Sequence, residues 1–338
     1  MQKGAAWMVH GGRTDEARKA YSGAPQPWID LSTGLNPHSY PMPHLATSDW
    51  AALPDQEALA GLEEAAALAF GVPHDFLSVL PGTEIGIRLL ASIDLPQPVR
   101  IVGPSYGSYA DAWPAAMLIE AGEADLELGR GTLVLANPNN PDGRCRPTAD
   151  LLELADRLAS NNGFLIVDEA FVDVAPELSL CPYISDRPNI AVLRSFGKFF
   201  GLGGVRLGFL ISSPGLRSAV RHRLGAWPVS TAAIRVGSQA YDDRAWIERT
   251  IPELSADATR LHQMLKRHDL SVRGECPLFR LVETHRASEL FTHLARRGIL
   301  TRPFSYNQDW LRIGLPGSEP AWARFDAALT SAMENLDG

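Results

Sequence analysis

Short apolar runs that alternate with helical patterns constrain the fold of this chain more than any other feature of its sequence. The runs at Thr132–Ala136 and Phe164–Val167 are apolar at almost every position, as expected for strands buried on both faces of a sheet. Alternation of such strands with helices favours an α/β fold with a mostly parallel sheet and helices on both faces. The other predicted strands of this region are Phe76–Leu80, Arg100–Val102, Ile190–Leu193 and Leu207–Ile211, and its predicted helices are Asp55–Phe70, Thr83–Ile93 and Leu151–Ser160.

The pattern changes after residue 215. A long helical stretch at Thr231–Arg267 precedes a mixture of short strands and one helix, which indicates a smaller α+β domain. The amino-terminal residues are rich in Gly, Pro, Ser and His and predict an extended arm with one strand at Trp28–Leu31. Since 338 residues are enough for two lobes, we expect a large domain at 45–215 and a small domain made of 1–44 and 216–338. The later elements predicted for the small domain are Leu278–Val282, Ala287–Arg297, Ile299–Thr301 and Leu311–Ile313.

Charge and composition exclude several classes of partner. The net charge is −8 and the isoelectric point is near 5.6, which argues against general binding to nucleic acids or anionic membranes. No run approaches the roughly 18 apolar residues of a membrane span. The three cysteines, Cys145, Cys181 and Cys276, are widely spaced, fit no metal-binding pattern and cannot all pair. We therefore expect no metal site and a reducing, cytoplasmic environment.

One lysine, Lys198, lies among aromatic residues and glycines in the stretch 195–209. Apolar surroundings lower the pKa of a lysine and leave more free amine, which is the form that Schiff-base chemistry uses. Arg206 follows eight residues later and suits a phosphate, because a guanidinium keeps its charge. A surface loop with a solvated lysine is the competing interpretation. A dinucleotide-binding fingerprint is excluded, because Arg206 stands where its third glycine would be.

Polar residues follow several predicted strands at their carboxyl ends, where α/β sheets bind ligands. Gly82, Thr83 and Glu84 open a helix whose first N–H groups would form an anion site, unless Thr83 only caps the helix. Tyr106 either stacks on a flat cofactor or lies in the core. Asn140, in a turn with three asparagines and two prolines, could donate a hydrogen bond to a ligand oxygen.

Asp168 comes directly after the apolar run at Phe164–Val167. A carboxylate at the end of a buried strand is costly unless it meets a positive partner. A protonated pyridine nitrogen would be such a partner. A helix-capping or salt-bridged aspartate is the competing interpretation.

Taken in order, the anion site, aromatic residue, asparagine, aspartate and lysine resemble those of the fold-type I pyridoxal-phosphate enzymes, which have the aspartate-aminotransferase-like fold. Within them the chain is similar to the branch that contains the histidinol-phosphate aminotransferases and the threonine-phosphate decarboxylases. The resemblance implies pyridoxal 5'-phosphate as cofactor, Lys198 as its Schiff-base lysine and Asp168 as the partner of its pyridine nitrogen. The other cofactor contacts that it implies are Asn140 at the phenolic oxygen, Tyr106 on the ring, and Gly82, Thr83, Glu84, Ser195 and Arg206 around the phosphate.

The resemblance extends to the arm and the small domain. His10-Gly11-Gly12 and Leu31–Pro37 are similar to the arm of the threonine-phosphate decarboxylases of cobalamin biosynthesis. Arg312 resembles the arginine that binds the substrate carboxylate in this family, and Arg302 resembles one that contacts the substrate phosphate. Gly34 and the imidazole of His10 are further implied substrate contacts.

Three positions depart from the family. Phe171 stands where the aminotransferases of this branch usually have a tyrosine, so Asn140 would bind the phenolic oxygen alone. Gly197 replaces a hydroxyl-bearing residue that often precedes the lysine. Leu53 replaces a tyrosine that reaches the phosphate of the neighbouring subunit, which calls that contact across the expected homodimer interface into question.

Three functions remain open at the level of sequence. The resemblance implies decarboxylation of L-threonine O-3-phosphate to (R)-1-aminopropan-2-ol O-phosphate. An aminotransferase of histidinol phosphate or a related amino acid would use the same cofactor, because the protein chooses which bond at Cα breaks. A non-catalytic cofactor-binding module is the third, although Lys198 is intact. For either enzyme the expected partner is a small phosphorylated amino acid.

Overall fold

The computed structural model describes residues 11–123 and 130–336. The helices are α1 (Thr14–Ala20), α2 (Thr47–Ala51), α3 (Gln56–Phe70), α4 (Thr83–Ala91), α5 (Gly107–Ala112), α6 (Thr148–Ala159), α7 (Phe196–Phe199), α8 (Pro214–Leu224), α9 (Thr231–Asp242), α10 (Arg244–Arg267), α11 (Ala287–Arg296) and α12 (Glu319–Leu336). The strands are β1 (Ile29–Asp30), β2 (Leu77–Leu80), β3 (Val99–Gly103), β4 (Met117–Glu120), β5 (Thr132–Ala136), β6 (Phe164–Asp168), β7 (Ile190–Ser195), β8 (Gly208–Ser212), β9 (Ser271–Arg273), β10 (Phe279–Glu283), β11 (Ile299–Leu300), β12 (Arg302–Pro303) and β13 (Trp310–Gly314). Among the described helices, none is both long and apolar enough to cross a membrane.

A seven-stranded sheet with the order β2-β8-β7-β6-β5-β3-β4 organises the larger of two compact units, which consists of residues 39–140 and 145–251. Neighbouring strands from β4 to β7 pair in parallel, whereas β8 is antiparallel to both β7 and β2. The predicted α/β fold with a mostly parallel sheet is therefore confirmed. The reversal of β8 was not predicted, because an apolar run does not reveal the direction in which its strand lies.

Local sequence signals define the two ends of α3. The Asp55 carboxylate accepts hydrogen bonds from the N–H groups of Glu57 and Ala58 at 2.8 and 3.0 Å. Gly71 ends the helix in the left-handed conformation, with φ of +68°. Both ends of α3 agree with the predicted helix Asp55–Phe70.

The compact units follow different boundaries from the expected 45–215 and 1–44 with 216–338. Residues 216–251 lie in the larger unit, where α9 packs on α3. This packing is close, since a Cβ on Gly237 of α9 would lie 2.8 Å from the Leu62 side chain. The predicted helical stretch at 231–267 is two helices separated at Asp243, whose carboxylate accepts the Trp246 N–H at 3.0 Å.

The smaller unit consists, among the described residues, of 11–38, 141–144 and 252–336. Its antiparallel sheet has the order β12-β13-β10-β9, and β1 from the arm pairs in parallel with β11. Helix α11 buries an apolar face formed by Leu290, Phe291 and Leu294. The arm is therefore built into this α+β unit through its own strand.

Candidate active site

Three strand ends meet at one edge of the seven-stranded sheet. Gly208, the first residue of β8, pairs with Leu80 at the end of β2 and with Ser195 at the end of β7. A Cβ on residue 208 would lie 2.9 Å from the Thr83 nitrogen and 3.0 Å from the Arg194 carbonyl oxygen, so this approach requires glycine. Because β8 is antiparallel to β2 and β7, the residues that directly precede β8 lie at the carboxyl ends of those two strands.

That segment places Arg206 at the start of α4. Arg206 has a left-handed backbone conformation with φ of +57°, which is uncommon for a residue other than glycine and typical of functional sites. Its guanidinium covers Gly82, where a Cβ would lie 2.8 Å from Nη2. Gly82 is also the cap residue of α4, and no side chain caps this helix start. The hypothesis that Thr83 only caps the helix is therefore wrong, and uncapped N–H groups beside an arginine fit a phosphate.

Two further residues assigned to the cofactor are Glu84, the second residue of α4, and Ser195, which pairs with Gly208 of β8. The Glu84 carboxylate accepts a hydrogen bond from Arg88 Nη2 at 2.9 Å along α4. Ser195 is half-buried at the end of β7, directly before α7. Their contacts with a cofactor stay predictions.

Asp168 is buried at the end of β6, where it pairs with Ala136 of β5. Its Oδ2 accepts the Tyr109 hydroxyl at 2.7 Å, and its Oδ1 accepts the Ala170 N–H at 2.9 Å. Burial raises the pKa of Asp168, while these two hydrogen bonds and the charge of Lys198 oppose the rise. The bond to Ala170 is local, like that of a cap, but the bond to Tyr109 reaches across the sheet. This arrangement fits an acceptor for a pyridine N–H.

Lys198 lies half-buried in the single turn of α7, with its Nζ 5.5 Å from the centre of the Phe171 ring. The neighbouring side chains of Phe196, Phe199 and Phe200 are buried. Phe171, in the place of the family's tyrosine, therefore offers an aromatic ring to the ammonium group. Lys198 is therefore not a fully solvated surface lysine, and its role in a Schiff base stays a prediction.

Gly197, the residue before the lysine, contacts the short 3₁₀ turn at Gly203–Val205. A Cβ on residue 197 would lie 2.8 Å from the Gly203 Cα. A hydroxyl-bearing residue would push away the turn that leads to Arg206. Glycine at position 197 therefore suits this close approach.

The turn after β5 uses its asparagines for different purposes. The Asn137 side chain donates to the Arg146 carbonyl at 3.0 Å and accepts the Arg146 N–H at 2.8 Å, which closes the turn. The Asn139 side chain donates to the Pro104 carbonyl at 2.9 Å in the loop after β3. Asn140 is half-buried, and its role at the phenolic oxygen stays a prediction.

Tyr106 and Tyr109 lie three residues apart at α5, with ring centroids 5.9 Å apart and ring planes at 87°. Tyr109 is fully buried, whereas Tyr106 packs on the core but is only half-buried. The core interpretation thus suits Tyr109 better than Tyr106.

Sequence reasoning missed a buried charge cluster beside these strand ends. Glu169 follows Asp168, is completely buried and accepts the Ser179 hydroxyl at 2.6 Å. Arg194, directly before Ser195, donates to Asp173 and lies 3.4 Å from Glu169. Burial raises the pKa of Glu169, and the charge of Arg194 opposes the rise. The sequence did contain a signal for this cluster, namely the two adjacent carboxylates of Asp168 and Glu169 after an apolar strand. Each of them needs buried partners of its own.

In the smaller unit, Arg302 of β12 and Arg312 of β13 lie directly opposite each other. Both side chains are buried, so Arg302 is not a surface arginine. The Arg302 guanidinium lies 5.0 Å from the centre of the Phe304 ring, and that of Arg312 lies 4.9 Å from the centre of the Phe279 ring. Like charges directly opposed on a sheet are destabilising, so this pair fits an anionic ligand.

The arm carries the remaining predicted substrate contacts. Arg312 donates to the Ser32 carbonyl at 2.7 Å, and the Ser32 hydroxyl accepts the Gly12 N–H at 2.8 Å. Gly34 follows in the arm with φ of +64°. His10 lies outside the described residues, so its predicted contact has no structural account. The arm is thus tied to one of the two opposed arginines.

Comparison with known proteins agrees with this geometry. A family model described as aminotransferase class I and II matches residues 27–324. The threonine-phosphate decarboxylase of Pseudomonas aeruginosa is 40% identical over 334 residues, which cover 97% of this chain and 98% of that protein. The threonine-phosphate decarboxylase of a Sinorhizobium species is 38% identical over 338 residues, which cover 98% and 99%. The crystal structure of a histidinol-phosphate aminotransferase from Clostridium acetobutylicum matches with a TM-score of 0.79 at 18% identity, covers 91% of this chain and 99% of that one, and confirms the aminotransferase-like fold.

Proposed function

Because this chain belongs to the class I and II aminotransferase family and is a pyridoxal-phosphate-dependent enzyme, we propose that it decarboxylates L-threonine O-3-phosphate to (R)-1-aminopropan-2-ol O-phosphate, a step of cobalamin biosynthesis. The main support for this choice is the sequence identity of the chain to two proteins named threonine-phosphate decarboxylase, which is 40% and 38% over almost the whole chain. The buried, opposed pair Arg302 and Arg312 supports it, because the substrate brings two anionic groups.

Different residues at the sheet edge bind different parts of the cofactor. Lys198 forms the covalent link, and the Asp168 carboxylate accepts the pyridine N–H. Arg206, with the first N–H groups of α4 and the hydroxyls of Thr83 and Ser195, holds the phosphate. When bound, the cofactor supplies an electron sink for the bonding pair that a departing carboxylate leaves at Cα.

Other side chains orient the ring and manage protons. Tyr106 packs on the ring, and the Asn140 side chain donates to its phenolic oxygen. The ammonium form of Lys198, held over Phe171, would be the acid that delivers a proton to Cα once CO₂ has left, which leaves the neutral amine. Arg312 binds the substrate carboxylate and Arg302 binds its phosphate, which orients the bond to be broken.

The competing function is an aminotransferase acting on histidinol phosphate. The two reactions differ in their need for a second substrate, because transamination stalls after one turnover without an amino-group acceptor. The test incubates the reconstituted enzyme with threonine phosphate, and separately with histidinol phosphate, with and without a 2-oxo acid. We expect repeated turnover of threonine phosphate without the 2-oxo acid. Turnover of histidinol phosphate that depends on the 2-oxo acid would favour the aminotransferase, and no turnover of either would favour a non-catalytic module.

A homodimer is the proposed assembly. Three large apolar side chains are exposed within one short stretch of the larger unit: Met42 at 52%, Trp50 at 67% and Leu53 at 68%. Such exposure is typical of protein interfaces, and two-fold dimers are the commonest oligomers. Leu53 stands at the position that faces the neighbouring subunit in the resembling family.

Analytical ultracentrifugation tests this assembly. We expect a mass of two chains for the wild type and a shift toward the monomer for the double variant Trp50→Arg and Leu53→Arg. Leu118→Arg is the matched control, because Leu118 is equally exposed, at 69%, on strand β4. A fully active monomer at nanomolar concentration would count decisively against the dimer, and an effect confined to Leu118→Arg would move the interface elsewhere.

The proposed location is the cytoplasm. Cys145, Cys181 and Cys276 form no disulfide bond, and the last two are buried. Burial raises the pKa of Cys181 to about 12, which disfavours its thiolate. Cysteines that form no disulfide suit a reducing compartment.

A further inference from the structure

The buried position of Asp168 raises the free energy of its ionised form. Its carboxylate is buried at the end of β6, where charge is poorly solvated, and burial raises its pKa. The negative charge of Glu84 raises this pKa further, whereas the charge of Lys198 lowers it. Yet pairing with a pyridine nitrogen needs a carboxylate that is ionised and aimed in one direction. A fixed donor within the protein would meet both needs.

Tyr109 provides such a donor. Its side chain is only 1% exposed and belongs to a buried apolar cluster of the larger unit, so its ring has little freedom to move. Its hydroxyl donates to Asp168 Oδ2 at 2.7 Å, while the Ala170 N–H occupies Oδ1. Burial and the neighbouring carboxylate raise the pKa of Tyr109 well above its ordinary value, so the phenol stays protonated at neutral pH. Two neutral donors on the two oxygens fix the plane of the carboxylate.

Helix α5 connects this donor with the predicted stacking residue. Tyr106 precedes the helix and Tyr109 lies in its first turn, with the two rings packed edge to face. The loop that leads into the helix is anchored by the Asn139 side chain on the Pro104 carbonyl. One short helix and one anchored loop therefore set both the ring of Tyr106 and the hydroxyl of Tyr109.

We propose that Tyr109 is a positioning residue for Asp168: its hydroxyl keeps the carboxylate ionised and aimed at the pyridine nitrogen of the cofactor. Tyr109 acts through Asp168 and not on the substrate. The inference rests on the cofactor role proposed for Asp168, and it assigns a function to a tyrosine that would otherwise count only as core.

The test replaces the hydroxyl and keeps the ring. Tyr109→Phe removes the hydrogen bond to Asp168. Tyr40→Phe is the matched control, because Tyr40 is also buried and its hydroxyl lies 3.3 Å from the Gln239 carbonyl and from the Asp243 carboxylate, not near Asp168. Cofactor affinity is measured by equilibrium dialysis of the apoenzyme with pyridoxal phosphate, and the visible absorbance of the reconstituted enzyme is recorded at each pH. We expect Tyr109→Phe to weaken cofactor binding about tenfold at neutral pH, the loss typical of one hydrogen bond to a charged group. Tyr40→Phe should change it less than about twofold.

The pH profile separates positioning from packing. The hydrogen bond from Tyr109 lowers the pKa of Asp168, so its removal lets the carboxylate take up a proton at a higher pH. On acidification, cofactor affinity should therefore begin to fall at a higher pH in Tyr109→Phe than in the wild type. Glu84 and Lys198, the charged groups that also act on Asp168, and the neighbouring Tyr106 are the same in both proteins. If Tyr109 had only a structural role, the pH at which cofactor affinity begins to fall would be the same in Tyr109→Phe and in the wild type.

A third variant, Asp168→Asn, keeps the two proposals apart. If Asp168→Asn binds pyridoxal phosphate as the wild type does, the role of Asp168 is wrong and the inference about Tyr109 falls with it. If Asp168→Asn loses affinity while Tyr109→Phe matches Tyr40→Phe in affinity and pH profile, the positioning role alone is overturned. Two results together support the proposal. Tyr109→Phe binds the cofactor more weakly and its affinity begins to fall at a higher pH, and adding Tyr109→Phe to Asp168→Asn causes no further loss of affinity.

Discussion

At the scale of single residues, the sheet edge depends on positions where a side chain would not fit. Gly208 lets the starts of α4 and β8 approach, and Gly82 leaves room for the guanidinium of Arg206. Arg206 itself holds a left-handed backbone conformation. Such strain persists where the surrounding structure over-determines it, and here it lies at the proposed phosphate site.

Gly197→Ser tests this close packing. The added side chain would collide with the Cα of Gly203, displace the turn before Arg206 and weaken the hold on the cofactor phosphate. We expect the dissociation constant for pyridoxal phosphate to rise about tenfold or more, the usual size of a lost charge-assisted contact. Affinity for pyridoxal, which lacks the phosphate, should change little.

Gly204→Ala is the matched control for this experiment. Residue 204 lies in the same 3₁₀ turn, and a Cβ there would have no neighbour within 4 Å. It should leave both affinities unchanged. Equal losses of affinity for pyridoxal and pyridoxal phosphate in Gly197→Ser would mean that the turn does not serve the phosphate.

At the scale of elements, sequence patterns predicted those parts of the fold that local physics determines. The buried run at Thr132–Ala136 is β5 at the predicted bounds, and α3 begins one residue after the start of the predicted helix Asp55–Phe70 and ends at its predicted end. Short or amphipathic elements such as α5, β4 and α8 were not predicted, because brief segments carry too little periodicity. The direction of β8 depends on its neighbours in the sheet and leaves no local signal.

The paired strands β12 and β13 place Arg302 opposite Arg312. Their opposed arginines should bind the anionic groups of the substrate, so Arg302→Ala should raise the KM for threonine phosphate about 10- to 150-fold, corresponding to about 1.5–3 kcal/mol for a hydrogen bond to a charged group. Affinity for pyridoxal phosphate, measured by dialysis, should stay at the wild-type value. Steady-state kinetics with threonine phosphate and with plain threonine provide the readout.

Arg273→Ala is the control for Arg302→Ala. Arg273 lies on β9 of the same sheet and pairs with Glu283 at the surface, so its loss should leave KM unchanged. If Arg302→Ala handles threonine phosphate normally, or if the wild type prefers plain threonine, the phosphate assignment and the decarboxylase proposal fail together.

At the scale of the whole molecule, the chain divides into two units that carry different parts of the chemistry. The larger unit holds Lys198, Asp168 and Arg206, and the smaller holds Arg302 and Arg312. Sequence reasoning named Lys198 and Arg206 from their apolar, glycine-rich stretch and Asp168 from its place after a buried strand, whereas Arg302 and Arg312 were implied by the family resemblance. It missed Tyr109, Asn139 and the Glu169–Arg194 pair, since their partners are far away in sequence and only the folded sheet reveals them. The expected domain boundary at 215 also differs from the boundaries of the compact units, because α9 packs on α3 and such packing between helices leaves no signal in the local sequence pattern.

The most direct measurement of the central claim follows the substrate's carboxyl carbon. The wild-type enzyme, reconstituted with pyridoxal phosphate, is incubated with L-threonine O-3-phosphate labelled with ¹³C at the carboxylate, and the products are followed by ¹³C NMR. The proposed function predicts that the label leaves entirely as CO₂ and bicarbonate, while unlabelled (R)-1-aminopropan-2-ol O-phosphate accumulates. A label that stays in a 2-oxo acid, or in unchanged substrate when histidinol phosphate is consumed under the same conditions, would contradict it.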